Sequence, residues 1–401
     1  MDKLENISRG DAEARREANC MSLLQKNYFL SPPPLRVSAP PREPKKRAST
    51  YRMPLHNFFI LISILFLLLF LLSLLSAAPV KSVTVMTWNV ENLFDADNDP
   101  TKPGAAEFTP TSWRRWTHAR YEQKLQNLAK VIAAVKPDIL FVQEIANRRV
   151  LNDLSKILKD KHKVDLGHII HRPSPDLRID TAILSRWEPS RTEWLTPTPN
   201  QREMVVATFD LDGAPVTFIN CHWKSHSGND KDYNTRTRTT EARALRKYVA
   251  ENLKPGDSFV VGGDFNDDVD TIILTDVAEL RLYEGPDKPF DKDALLHNLS
   301  GMLSKEARAT FYYHVGKVWN SIDSFSVSQG MLPNAPTENL SKWVVVPDQY
   351  GPYKHAEYVA TDGTPLPYRR IRTRTFDGYY LGASDHFPVK MVLDRRGEKK
   401  K

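Results

Sequence analysis

Residues 258–267 read SFVVGGDFND. Phe259, Val260 and Val261 form a short apolar run bounded by turn-forming residues, the pattern of a buried strand. Asp264 stands where that strand ends, with Asn266 two residues on. Side chains alternate along a strand, so Asp264 and Asn266 point the same way if the chain stays extended. Gly262 and Gly263 lack the lysine that would follow in a phosphate loop. They mark a close approach of backbone instead.

Working outward, the arrangement repeats. VTVMTW ends in Asn89, DILFVQ in Glu144 and VTFINC in His222. Asp323 precedes SFSVS, and Asp385 and His386 precede FPVKMVL. An antiparallel strand brings its beginning to the edge where the others end. The polar groups can therefore converge on one rim of a mixed sheet. By alternation Phe218, Asn220 and His222 share a face, and Cys221 faces the core. TAILSR and VVATFDL add two more strands.

Tyr121 to Val135 carries apolar residues at helical spacing, and Thr239 to Leu253 does the same. Helices interleaved with apolar strands imply α/β layers. Segments 96–118 and 333–370 read as long loops. Ser384, Asp385 and His386 spell a nucleophile triad by letter, but adjacent residues cannot form an in-line relay. His118, His168, His297, His314 and His355 show no partner pattern and read as structural or exposed.

Of the +7 formal charge, residues 1–54 carry +5 and residues 395–401 carry +4, which leaves −2 for the stretch between. The sequence pI of 9.1 thus reflects the tails and is not evidence for nucleic-acid binding. Residues 1–54 read as a disordered basic, Pro-rich tail. Phe58 to Leu75 is an uncharged apolar run, FFILISILFLLLFLLSLL. At ~1.5 Å per residue its length approaches the ~30 Å hydrocarbon core. The positive residues before it place the N-terminus in the cytoplasm. Residues 55–78 are therefore expected to be a transmembrane signal-anchor. The competing reading is a cleaved signal peptide, with Ser76-Ala77-Ala78 as its cleavage site and Met53 as an alternative start. Either reading places residues 79–394 outside the cytoplasm, and residues 395–401 form a basic tail. Cys20 and Cys221 then lie in different compartments and cannot pair.

The motifs TWNVENLFD, FVQE, NCHWKS, GGDFND, IDSFSVS and GASDHFPV occur in this order from Thr87 to Val389. Together they resemble the endonuclease/exonuclease/phosphatase superfamily of DNase I-like proteins, most closely its bacterial secreted nucleases. The resemblance implies a four-layer α/β sandwich of two mixed β-sheets flanked by helices. It implies Mg²⁺, with Mn²⁺ or Ca²⁺ as alternatives; the candidate ligands are oxygens, which suit such hard cations. Carried over by position, Glu144 with Asn89 holds the metal, and Asp385 is a metal or water ligand. Asp264 orients or deprotonates the attacking water, and Asn266 fixes that geometry. His386 contacts the phosphate or acts as acid/base, with Asp323 setting its tautomer, and His222 is a second catalytic histidine.

Lys224, Arg236 and Arg238 follow the His222 strand. Arg369, Arg370, Arg372 and Arg374 lie shortly before Asp385, and Arg370, Arg372 and Arg374 share one face of that extended segment. Lys224, Arg238, Arg370 and Arg372 are the expected substrate contacts, a local basic rim that favours DNA or RNA. The rival enzyme is a phospholipid phosphodiesterase or phosphomonoesterase. The non-enzyme alternative is an inert phosphate-binding membrane protein. No protein partner is expected.

Overall fold

The apolar runs of the sequence become the inner strands of two mixed sheets in the computed structural model of the chain. It describes residues 79–397 apart from 98, 175, 200 and 373–376, and a few helical residues between 57 and 64. The chain divides into two units, Met1–Leu75 and Ser76–Lys401. The tail 1–54, most of the apolar run 58–75 and the end of the basic tail lie outside the described residues. Among the described residues no helix is long and apolar enough to cross a membrane.

The strands are β1 (Ser82–Leu93), β2 (Ile139–Ile145), β3 (His168–Ile170), β4 (Asp180–Ser185), β5 (Arg191–Leu195) and β6 (Met204–Asp210). Then come β7 (Pro215–His222), β8 (Ser258–Asp264), β9 (Leu280–Leu282), β10 (Leu296–Asn298), β11 (Phe311–Tyr313) and β12 (Val318–Asn320). The last are β13 (Asp323–Ser328), β14 (Trp343–Val345), β15 (Gly351–Pro352), β16 (Tyr368–Arg372), β17 (Asp377–Leu381) and β18 (Val389–Arg395). One sheet runs β14-β18-β1-β2-β4-β3, with β15 also on β18; the other runs β5-β6-β7-β8-β13-β10-β9. β1 and β2 are parallel, as are β7 and β8, and most other pairs are antiparallel. β11–β12 and β16–β17 stand apart as hairpins.

Three apolar cores define four layers. The middle core joins the inner faces of both sheets, with Phe141 edge-on to both Phe218 and Phe325. On the first sheet's outer face pack α1 (His118–Val135) and α2 (Arg148–His162). On the second sheet's outer face packs α3 (Lys231–Asn252). Cys221 is fully buried in that third core, as alternation requires.

Some boundaries differ from the sequence reading. α3 begins well before Thr239, because Asp230 caps it by accepting from the Tyr233 N–H. Its first turns are polar and show no apolar period. α2 is absent from the expected elements, although Asn147 caps it and Val150, Leu151, Leu154 and Leu158 form its buried face. Segment 96–118 is irregular apart from a short 3-10 turn and the start of α1, and 333–370 holds only short elements such as β14 and β15. The double glycine behaves as the sequence suggests. Gly263 has φ +136°, and a Cβ there would lie 2.0 Å from the Cys221 carbonyl oxygen.

Candidate active site

Strand register builds the site. His222 on β7 lies directly opposite Asp264 on β8, and Asp323 on β13 lies opposite the same Asp264. Three polar side chains thus stand in one row at a sheet edge. On the facing sheet Asn89 pairs with Gln143, and the β1–β2 register shifts between Asn89 and Leu93. A second shift falls between Gln143 and Ile145, around Glu144. Bulges of this kind re-aim side chains. Left-handed backbone follows: Glu91, Asn92, Glu144 and Asn266 have φ of 51°, 48°, 65° and 50°. Such positions cost non-glycine residues about 1–3 kcal/mol each and cluster where function over-determines them.

Hydrogen bonds join the two sheet edges. Asn89 Nδ2 donates to Asp264 Oδ2 at 2.9 Å and to Glu144 Oε1 at 3.1 Å. The Asn92 N–H donates to Glu144 Oε2 at 2.8 Å. Asn266 leaves the extended path assumed in the sequence reading, yet its backbone N–H donates to Asp264 Oδ1 at 2.8 Å. Its Nδ2 donates to the Trp223 carbonyl at 3.0 Å. His386 Nδ1 donates to Asp323 Oδ2 at 2.8 Å, and His222 Nε2 lies 3.6 Å from Asp264 Oδ2. Ser384 ties the His386 loop to β1 by donating to the Asn89 carbonyl at 2.6 Å.

Burial and charge set the protonation states. Burial pushes Asp264 up to about 7, with repulsion from Asp323 adding to it. For His386 burial opposes the charged ring, but the Asp323 carboxylate outweighs burial and holds it well above the ordinary imidazole range. Burial holds His222 well below that range, helped by the nearby Arg202 and His386. One imidazole is therefore kept cationic and the other neutral, on either side of one carboxylate.

Asn89, Glu144 and Asp385 offer oxygens of the kind a hard cation takes, and in this structure Asn89 Oδ1 accepts from the Glu91 N–H at 3.0 Å. Among the described residues, Asp264, Asp323 and His386 also bring ligand atoms within 4.8 Å of one another. The Asp323–His386 hydrogen bond commits Nδ1, so that trio suits acid–base work better than ligation.

The model of the endonuclease/exonuclease/phosphatase family matches residues 84–395. The chain belongs to this family. No curated protein matches it significantly by sequence. Among solved structures, truncated TDP2 from Caenorhabditis elegans is 18% identical over 78% of this chain and 97% of its own, with a TM-score of 0.45. A family member from Bacteroides thetaiotaomicron is 17% identical over 79% and 99%, at 0.45. Staphylococcus aureus beta toxin, crystallised with bound magnesium ions, is 13% identical over 79% and 100%, at 0.49. At these identities and scores none of them assigns an activity to this chain.

Within this family member the expected basic rim needs correction. Arg238 is 1% exposed. Its guanidinium is spent on Asp267 at 3.2 Å and the Lys224 carbonyl at 3.0 Å, so it braces the loop after β7. Arg370 is also buried, held by Asp377 at 2.8 and 2.6 Å and by the Trp113 carbonyl. The side chain of Arg372 and all of Arg374 lie outside the described residues. Lys224 is half-buried, and among the described residues its ammonium has no partner. One arginine at the site, Arg202, escaped the sequence reading, and another, Arg369, was named there only as part of the basic segment. Arg202 donates to the carbonyls of His222 and Trp223. Arg369 contacts Asp385 and Glu91. No strand-end pattern flags Arg202, and the face of β16 shared by Arg370 and Arg372, not that of Arg369, was the one expected to contact substrate.

Proposed function

We propose that the protein is a metal-dependent phosphodiesterase acting on nucleic acid. The observation that carries the chemistry is Asp264, shared in register between a neutral His222 and the Asp323–His386 pair. A carboxylate raised to about 7 suits a base that orients or deprotonates water near neutral pH. Asn266 holds that carboxylate in place. His386, whose charged form Asp323 favours, donates its Nε2–H to a phosphoryl oxygen on the other side of the reacting phosphorus. Glu144, Asn89 and Asp385 would hold Mg²⁺ or Mn²⁺. When bound, such an ion neutralises phosphoryl charge and stabilises the leaving oxygen.

For the substrate, the rim beside His386 is aromatic as well as basic. Phe311 packs on the His386 ring with centroids 4.8 Å apart. The β11–β12 hairpin beyond it exposes Tyr313, Val315, Val318 and Trp319. Rings that project beside a phosphate site accept bases by stacking. The same apolar tip also suits a lipid surface, which keeps a phospholipid phosphodiester as the second reading. The apolar run Phe58–Leu75 supports a membrane anchor with the catalytic domain outside the cytoplasm.

The deciding assay offers duplex DNA, single-stranded DNA, RNA, sphingomyelin and inositol phosphates to the protein with Mg²⁺ or Mn²⁺. Cleavage of nucleic acid is expected. A preference for sphingomyelin would transfer the function to lipid, and no turnover of any phosphate ester would remove the enzyme reading.

A further inference from the structure

The side chain left over by the correction of the basic rim is Arg369. It sits on β16 directly after Tyr368, whose backbone N–H donates to Glu91 Oε2 at 2.8 Å. That bond fastens the hairpin to the bulged end of β1. Arg369 Nη1 lies 3.2 Å from Asp385 Oδ2 and 3.4 Å from Glu91 Oε1. Glu91 is 4% exposed, and the buried Lys124 donates to its carbonyl. The other Asp385 oxygen lies 4.0 Å from His386 Nε2. One carboxylate is therefore flanked by the Arg369 guanidinium and by the nitrogen through which His386 can meet a phosphate.

A guanidinium has two edges for paired hydrogen bonds. Here Nη1 is committed to the two carboxylates. Nε and Nη2 form the side-on edge, and among the described residues neither has a partner. The side chain is 36% exposed, so solvent reaches it. A cation whose stem and one nitrogen are fixed, and whose remaining fork is free beside an acid–base pair, is organised before substrate arrives.

The geometry points to Arg369 as a catalytic residue that grips the phosphoryl group with its Nε–Nη2 edge. This rests on the phosphoesterase reading above. Its competitor is a purely neutralising role, in which Arg369 only balances Glu91 and Asp385. A lysine could serve that role, because it keeps the charge and lacks the planar fork.

The test uses the full chain in detergent, wild type beside Arg369→Lys and Arg369→Gln. Two readouts are taken: kcat for bis(p-nitrophenyl) phosphate with Mg²⁺, and calorimetric binding of thymidine 5′-monophosphate. Removing a positioned donor to a developing anion costs on the order of 10²-fold in kcat. Arg369→Gln should show that loss, and Arg369→Lys should recover less than about a tenth of wild-type kcat. Both should bind the monophosphate roughly tenfold more weakly, as the loss of a charge-assisted contact does. If lysine restores both readouts, or glutamine leaves both unchanged, the grip is wrong. Should Arg369→Gln fail to fold, Arg369→Lys still decides, because it retains the ion pairs. A wild type that binds monophosphate through Arg369 but cleaves no ester would leave the grip standing and remove the enzymatic reading. A wild type that does neither would remove both.

Discussion

At the scale of single residues, the proposed reaction divides one task between Asp264 and His386. The carboxylate would manage the water, and the imidazolium would stabilise the charge that the water's attack creates. Neither half works well without the other, so their losses should not multiply. Asp264→Ala and His386→Ala should each lose about 10²-fold or more in kcat, and the double variant should be little worse than the poorer single. A double-mutant cycle on kcat measures this; two factors that multiply would separate the residues and move the acid role to His222. A second residue speaks through stability. His297 is fully buried, both of its nitrogens lack a partner among the described residues, and burial lowers it to about 4. Its folded value lies below the ordinary ~6.5, so the unfolded chain takes up a proton first as pH falls. Stability should drop between pH ~6.5 and ~4, by up to about 3 kcal/mol from this group. His297→Phe should flatten that part of a urea-unfolding profile, and an unchanged slope would refute the assignment. His222, Asp264, Asp323 and His386 were legible in the sequence because each adjoins an apolar strand. Arg369 was legible only as one of a basic segment, since nothing in YRRIR tells which parity faces the site.

Among elements, the sheet edge owes its shape to two glycines. Gly262 lies against the Phe325 ring, and Gly263 against the Cys221 carbonyl at a left-handed φ. A methyl at 263 must push β7 and β8 apart exactly where the register matters, and it also strains the backbone. Gly263→Ala should destabilise by more than about 3 kcal/mol, seen as a lower urea midpoint with an unchanged slope. It should also lose activity in the fraction that stays folded, because His222 and Asp264 move with their strands. The strands and α1 were readable from apolar periodicity. α2 carries a signal of the same kind, which a reading centred on strand ends does not weigh. The bulges at Asn89 and Glu144 have no sequence signature that periodicity detects, because each inserts residues that break the period. They are also what turns Glu144 and Glu91 toward the site.

For the molecule as a whole, the oxygen ligands of the proposed reaction call for a divalent metal beside the cationic His386 and Arg369. Chelation should abolish hydrolysis, and Mg²⁺ or Mn²⁺ should restore it. Glu144→Ala should require more metal for half-maximal rate, or lose activity altogether. Full activity in excess chelator would end the metal-dependent reading. Alternating helices and apolar strands pointed to α/β layers and the family resemblance implied four of them, but the order of strands followed from neither, because it is set by contacts between distant segments. β18 shows this best. It is the last strand described, yet it lies between β14 and β1 in the interior of its sheet. A chain emerging from the ribosome cannot close that sheet until residues 389–395 are made. Before then β1 lacks one neighbour and the His386 loop has nothing to hold its downstream side. If the chain hydrolyses phosphate esters as proposed, that power arrives only with its final strand, and a chain cut short before it should leave the phosphate esters around its synthesis untouched.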